Sequence, residues 1–309
     1  MNYDIIGDVH GHADKLFALL DKMGYEKSKG IYSHPECIAV FCGDIIDKGP
    51  QQLETLDAIK SMIDAGSALA VMGNHEFNAI AWYMNLREHD EPYGKNYIQH
   101  KDFLNAVVEG SNEHIKWIDW FIKLPLWLDL PLFRVIHACW DSEQISKLKP
   151  LLRPGYRLSK GIMSRSVNED DSIEFNAIET LLKGPELKLP YGADPFYDKV
   201  GCPRDSIRVQ WWNSDATTFR SLAHIDQKDE NRRQEIPDTV VADNLISRYK
   251  DDKLLFFGHY WFVGNEPTVI SDKIACLDYS VAKDGLLTAY RWRQQDRALS
   301  NSNFVSVKH

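Results

Sequence analysis
Three short apolar runs in the first 75 residues each stop at a glycine that is followed at once by a side chain able to bind metal. Residues 3–6 lead into Gly7-Asp8-Val9-His10-Gly11, residues 37–42 into Gly43-Asp44-Ile45-Ile46-Asp47-Lys48-Gly49-Pro50, and residues 68–72 into Gly73-Asn74-His75-Glu76. Between the first two runs Leu16, Phe17, Leu19, Leu20 and Met23 recur at helical spacing, and Gly24 offers a stop. Between the second and third, Leu53, Leu56, Ile59 and Ile63 do the same and close near Gly66. Strand-helix-strand-helix-strand is the pattern of a parallel sheet with helical crossovers, so the chain is held to an α/β fold. In open sheets of that kind ligands collect outside the carboxyl ends of the strands.

The same device recurs twice. Residues 132–136 end at His137, and residues 254–257 end at Gly258-His259. Five strand ends thus deliver Asp8, His10, Asp44, Asn74, His137 and His259 to one rim. Singly, a strand-end aspartate reads as a turn or helix-cap residue, and His137 alone as a satisfied core histidine. Three such motifs in order carry the functional reading. Oxygen and imidazole donors without cysteine suit Mn²⁺, Fe or Zn²⁺. A carboxylate such as Asp44 can bridge two ions, and Asn74 adds a ligand without charge. Two ions about 3.5–4 Å apart clamp a phosphoryl group and lower the pKa of a water toward about 7. No covalent nucleophile is suggested. A leaving alkoxide needs a proton, and a carboxylate beside an imidazole favours the protonated ring. His75, next to Asn74, is the expected general acid, with Asp47 as its orienting partner.

Composition excludes other classes. With 36 Lys+Arg against 45 Asp+Glu the formal charge of the 309-residue chain is −9. No basic stripe offsets it, so nucleic-acid binding and nuclease action are disfavoured. Five scattered cysteines without a C-x-x-C pair point to a reducing compartment, and no apolar run is long enough to span a bilayer, so a cytoplasmic place is expected. Cys42 and Cys276 read as core. Residues 75–133 read as mostly helical, with Trp82, Tyr83, Trp117, Trp120 and Trp127 packing a helical layer. Residues 141–253 carry weak periodicity, and the charged run 226–235 reads as a solvated loop. One domain over 1–293, with a divergent middle at 141–253 and a polar tail at 294–309, is the expected organisation.

These motifs resemble the calcineurin-like metallophosphoesterase superfamily, and within it the phosphoprotein-phosphatase branch, which includes bacterial and phage serine/threonine phosphatases and symmetrical diadenosine tetraphosphate hydrolases. Val135-Ile136-His137-Ala138, Phe257-Gly258-His259 and the ending Leu277-Asp278 through Gly285-Leu286-Leu287-Thr288-Ala289 extend the likeness to residues 1–140 and 254–293. Phosphodiesterase relatives often carry Gly-His-x-His at the last ligand motif, where Gly258-His259-Tyr260-Trp261 has no second histidine. The resemblance implies a four-layer α/β/β/α sandwich with a dimetal centre between the sheets. It implies that Asp8, His10 and Asp44 hold one ion and that Asp44, Asn74, His137 and His259 hold the other. The acid role of His75 agrees with it. Two positions depart from the family. Lys48 stands where an arginine forks onto phosphate, and Ser214 follows Trp211-Trp212-Asn213 where a second arginine is usual. Lys is a point charge without bidentate geometry, so Lys48 and Arg208 are the expected phosphate holders, with Arg165 and Arg153 as substitutes for the latter. Trp211 and Trp212 read as strand packing. The expected activity is hydrolysis of phosphomonoesters, phosphoserine and phosphothreonine included. The alternatives are hydrolysis of a dinucleoside polyphosphate or another nucleotide, with the Trp-rich middle as base site, and a phosphate-binding module without catalysis.

Overall fold
The computed structural model describes residues 1–87, 94–197, 202–225 and 230–308. Strands Asn2–Ile6, Cys37–Phe41 and Ala68–Ala70 run parallel, with Ile5 beside Val40 and Val40 beside Leu69. Strand Leu286–Trp292 closes the other side antiparallel, placing Tyr290 beside Ile5, and pairs with Asp278–Tyr279 and Phe304–Val307. A second sheet holds Ile274–Cys276, Leu254–Phe257 and Phe133–Ile136 in parallel, with Trp127–Asp129 antiparallel at its edge.

Strand side chains alternate between faces, and the apolar ones sort accordingly. Ile5, Val40, Val71, Tyr290 and Trp292 of the first sheet meet Phe133, Val135, Leu254, Phe256 and Ala275 of the second in a core of their own. Their neighbours Ile6, Ala39, Phe41, Leu255, Phe257 and Cys276 face the other way, into a core built with the helices. Helix Ala13–Met23 buries Leu16, Leu19, Leu20 and Met23, and helix Gln52–Asp64 buries Leu56, Ile59 and Met62. On the second sheet's side, helix Ile173–Lys183 buries Ala177, Ile178, Leu181 and Leu182. Each such leucine contributes about 1.5–3 kcal/mol by leaving water. The first helix stops where the sequence says it should: Gly24 is left-handed at φ 89° and its N–H returns to Asp21 O. The result is helix, sheet, sheet, helix, in agreement with the four-layer expectation.

Three expectations change. Trp127 belongs to a strand, because Trp127–Asp129 folds back on Phe133–Ile136 through a short turn, whereas Trp82, Trp117 and Trp120 do lie buried in helices. The weakly periodic middle holds helices Ser142–Leu148, Lys160–Asn168 and Ile173–Lys183, each started by an Asp or Ser side chain accepting main-chain N–H groups. The polar tail is part of the sheet: Phe304–Val307 pairs along Leu286–Trp292 with Ala289 beside Val305. Of the charged run 226–235, residues 226–229 lie outside the described residues and Glu230–Arg233 is a short helix. Cys42 and Cys276 are buried and free. Among the described residues no helix is long and apolar enough to cross a membrane.

Candidate functional site
The strand ends converge as the motifs require. Asp8 and His10 follow strand Asn2–Ile6, Asp44 follows Cys37–Phe41, His137 follows Phe133–Ile136 and His259 follows Leu254–Phe257. Asn74 and His75 open helix Asn74–Tyr83, whose N-cap is Gly73. The loops are stitched by main chain: the N–H groups of Val9 and His10 both donate to Asp44 O at 3.1 and 2.9 Å. Glu76 is fully buried and ties the second loop to the third. Its Oε2 accepts from the N–H of Gly73 (2.9 Å) and Asp44 (3.0 Å), and its Oε1 from Ile45 (2.8 Å) and Ile46 (3.3 Å). His10, Asp44, Asp47, Lys48 and His259 all sit at positive φ, an uncommon conformation for residues with a side chain that clusters at working sites.

Donor atoms then fall into two groups that share Asp44. Atoms of His10, Asp44 and His75 lie within 4.8 Å of one another, as do atoms of Asp44, His137 and His259. His10 Nε2 is 3.6 Å from Asp44 Oδ2, and His137 Nε2 is 3.3 Å from Asp44 Oδ1, so the carboxylate turns one oxygen to each group. Asn74 Oδ1 sits 2.9 Å from both His137 Nε2 and His259 Nδ1. His10 donates Nδ1–H to the carbonyl of Ile46 (2.9 Å), which leaves its Nε2 as a lone pair facing inward, and His137 donates Nδ1–H to that of Cys42 (2.8 Å), which turns its Nε2 inward as well. Asp8 Oδ2 accepts from the His259 N–H at 3.0 Å, while its buried Oδ1 has no hydrogen-bond partner. A Cβ at Gly258 would stand 2.0 Å from that same oxygen, so glycine is needed there for the approach.

Electrostatics describe a site short of cations. Burial, then the charge of Asp278, pushes the Asp8 carboxyl well above the usual carboxylate range. Burial alone would depress His137, but the Asp44 carboxylate beside it raises the ring to about 10. Burial also works against ionised Asp44, yet His137 and His75 hold it well below its ordinary value. His10 and His259 are pushed down by burial and by the neighbouring cations Lys48 and Arg208, so both rings are neutral. Crowded carboxylates, neutral imidazoles with fixed tautomers and an orphaned carboxylate oxygen are the donor set that divalent cations complete.

His75 projects beside this cluster. Its Nδ1–H donates to Asp47 Oδ2 at 2.5 Å, and its Nε2 lies 3.8 Å from Asp44 Oδ2. His75 lines a cavity of about 300 Å³ into which Asp8, His10, Asp44, Asn74 and His259 also face. Lys48 and Arg208 reach the same cavity, with Lys48 Nζ 3.1 Å from His10 Nε2 and Arg208 Nη1 3.1 Å from His259 Nε2. Arg165 instead pairs with Glu174 at 2.5 Å, and neither it nor Arg153 lines the cavity. Ser214 is exposed, and Trp211 and Trp212 occupy a turn after strand Ser206–Arg208.

Sequence reading missed four residues here. Asp278 lines the cavity while accepting from the N–H groups of Trp261 (2.6 Å) and Ser280 (2.9 Å). Trp261 and Lys283 form its rim, with the Arg208 guanidinium 5.1 Å and Lys283 Nζ 5.3 Å from the indole. His100 approaches Asp47 from helix Lys95–Val107. Asp278 stands in a recognisable ending; the other three have no local signal. Trp261 also walls a second cavity, of about 290 Å³, lined by Trp212, His224, Phe262 and Tyr279.

The chain belongs to the calcineurin-like phosphoesterase family, whose pattern matches residues 1–281. It is 38% identical over 152 residues to the asymmetrical bis(5'-nucleosyl)-tetraphosphatase PrpE of Halalkalibacterium halodurans, covering 47% of this chain and 60% of that protein. With the protein of the same name from Anoxybacillus flavithermus it shares 40% identity, covering 63% of this chain and 98% of that protein. Several other relatives of that name are spanned for less than two thirds of their length. The fold is also that of a cold-active protein-tyrosine phosphatase from a psychrophilic Shewanella, at 20% identity and a TM-score of 0.51 over 94% of this chain and 75% of that one.

Proposed function
We propose that the protein is a metal-dependent phosphoesterase working in the cytoplasm, with residues 1–293 acting as one domain that the tail strand Phe304–Val307 joins. The observation that carries this is the Asp44 carboxylate, shared between two groups of donor atoms beside the buried His75–Asp47 pair. Asp8, His10 and Asp44 would hold one divalent ion, and Asp44, Asn74, His137 and His259 a second, with Mn²⁺ as first choice and Fe or Zn²⁺ as alternatives. Such a pair, when bound, supplies Lewis acidity and a water of lowered pKa for attack on phosphorus. Lys48 and Arg208 bind phosphate oxygens. His75 donates its Nε2 proton to the leaving oxygen, and Asp47 keeps the ring oriented.

For substrate, dinucleoside tetraphosphate is favoured by two supports: the names of the relatives, and an aromatic cavity across Trp261 of a size suited to a nucleobase. Phosphomonoesters such as phosphoserine are the second reading. The His75–Asp47 pair favours it, since an alkoxide needs a donated proton more than a departing nucleotide does. Mn²⁺-loaded protein offered a phosphopeptide and diadenosine tetraphosphate together separates these. AMP with ATP, or ADP, identifies nucleotide cleavage and its position; free phosphate from the peptide alone favours the monoester. If Mn²⁺ is bound and neither is cut, the proposal fails for both.

A further inference from the structure
His100 belongs to none of the strand-end motifs, yet it is buried against them. It lies on helix Lys95–Val107, whose Phe103, Leu104 and Val107 are sunk in the core, so the helix is firmly placed. His100 Nδ1–H donates to Asp47 Oδ2 at 2.8 Å, the same oxygen that accepts from His75 Nδ1–H at 2.5 Å. The two rings stand 6.2 Å apart at 82° on either side of that atom. The other oxygen, Oδ1, is buried with no hydrogen-bond partner. The carboxylate is therefore oriented by two imidazoles converging on one atom. Only His75 reaches the cavity; Asp47 and His100 stand behind it.

Resting on the phosphoesterase reading, we infer that His100 is a positioning residue for the proton donor: it fixes the Asp47 carboxylate, which in turn fixes His75. With the His100 donor gone, only the His75 Nδ1–H itself holds Oδ2 against rotation about the carboxylate's last bond, so the carboxylate has no anchor on that oxygen independent of the ring it orients. His75 would then lose the aim of Nε2 at the leaving oxygen, and displacements near 1 Å at such a group cost about 100-fold in rate. Burial should push Asp47 up, but first His100 and then His75 hold it down to about 2, so the two rings also keep the carboxylate ionised.

The variants are His100→Leu, which fills the volume without a donor, and His100→Asn, whose amide nitrogen can occupy the place of Nδ1. Turnover is compared on phenyl phosphate, whose leaving group needs a proton, and on p-nitrophenyl phosphate, whose leaving group needs little help. We expect His100→Leu to lose kcat by a factor about ten or more greater on phenyl phosphate than on p-nitrophenyl phosphate, with KM and Mn²⁺ content retained and His100→Asn recovering most of the difference. Equal losses on both esters, or no recovery by asparagine, would overturn the inference. A second measurement is independent of turnover. In proton NMR of the metal-free protein, the slowly exchanging His75 Nδ1–H signal should weaken or shift in His100→Leu and return in His100→Asn. An unchanged His75 signal in His100→Leu overturns the inference. If the wild type cleaves neither ester, it is the monoester reading that falls, and the proton signal decides for His100 by itself.

Discussion
Replacing Gly73 by alanine isolates one contact on which the metal-binding geometry depends. Gly73 has φ −94° and ψ 173°, a conformation alanine adopts freely, so the substitution brings no backbone strain. A Cβ there would lie 2.2 Å from both the N and the Oδ1 of Asp44 and 2.9 Å from Glu76 Oε2, where ordinary contact begins at 3.4 Å. The Asp44 carboxylate and its loop must therefore retreat by about 1.2 Å, the difference of those distances. Overpacking of this kind costs about 1–3 kcal/mol. A metal-ligand constellation tolerates about 0.5 Å of misplacement, so Mn²⁺ binding should weaken on the order of 100-fold or more. Calorimetric titration with Mn²⁺, alongside urea denaturation, reads both effects. Gly66→Ala is the control: its φ of +76° strains alanine, but nothing lies within 4 Å, so it should lower stability and spare metal affinity. A Gly73→Ala protein that binds two Mn²⁺ with wild-type affinity would refute the reasoning.

Asp44→Ala should remove metal and turnover together, whereas His75→Asn should keep metal by elemental analysis and lose rate chiefly on esters with poor leaving groups. Because the Asp44 carboxylate holds the metal-free His137 ring up at about 10, that ring is protonated at neutral pH and metal uptake must expel its proton. Apparent Mn²⁺ affinity should rise as pH climbs toward 10, and calorimetry in buffers of different ionisation heat should register proton release; a pH-independent affinity would contradict this. Asp47 is depressed from 3.8 to about 2, so its stabilisation is present above pH 4 and lost as pH falls through 2, a contribution of about 2 kcal/mol. Asp47→Asn should thus destabilise near neutral pH by about that amount, and in urea melts the gap should narrow below about pH 4 and close as pH falls through about 2. Filling the second cavity with Val263→Trp should raise KM for diadenosine tetraphosphate about tenfold or more while p-nitrophenyl phosphate is still turned over, if nucleobases bind there.

The first sheet and the convergence of its strand-end side chains were legible because both are local statements. A strand, a glycine and a ligand occupy a handful of consecutive residues, and the spacing of Leu16, Leu19 and Leu20 announces the helix that follows. What was hidden depends on distance along the chain. His100 meets Asp47 across 53 residues, and its own neighbourhood looks like any amphipathic helix. Trp261 and Lys283 form a rim only because their loops, one after Leu254–Phe257 of the second sheet and one after Asp278–Tyr279 of the first, meet in space. Trp127 sits in a stretch whose pattern is mostly helical, and its three-residue strand is too short to show a period of two. The 294–309 stretch is polar by composition, yet an edge strand satisfies its main chain on a neighbour with few apolar side chains of its own. Arg208 was the sequence's choice over Arg165 and Arg153, and the structure adds that it lines the cavity while Glu174 engages Arg165 elsewhere.

The strand that begins the chain finds its antiparallel partner nearly three hundred residues later: Tyr3 sits beside Trp292, and buried Asp4 takes Arg291 and Arg293 as ion partners. During synthesis the first βαβ units can form early, but one edge of their sheet stays bare until Leu286–Trp292 emerges. Asp8 likewise waits for the His259 N–H that it accepts. Separations this long slow folding and leave unpaired strand edges open to neighbours in the meantime. A nascent chain of this protein therefore carries most of the proposed ligands well before it can assemble them, which on that reading would leave metal capture to the last stage of its folding.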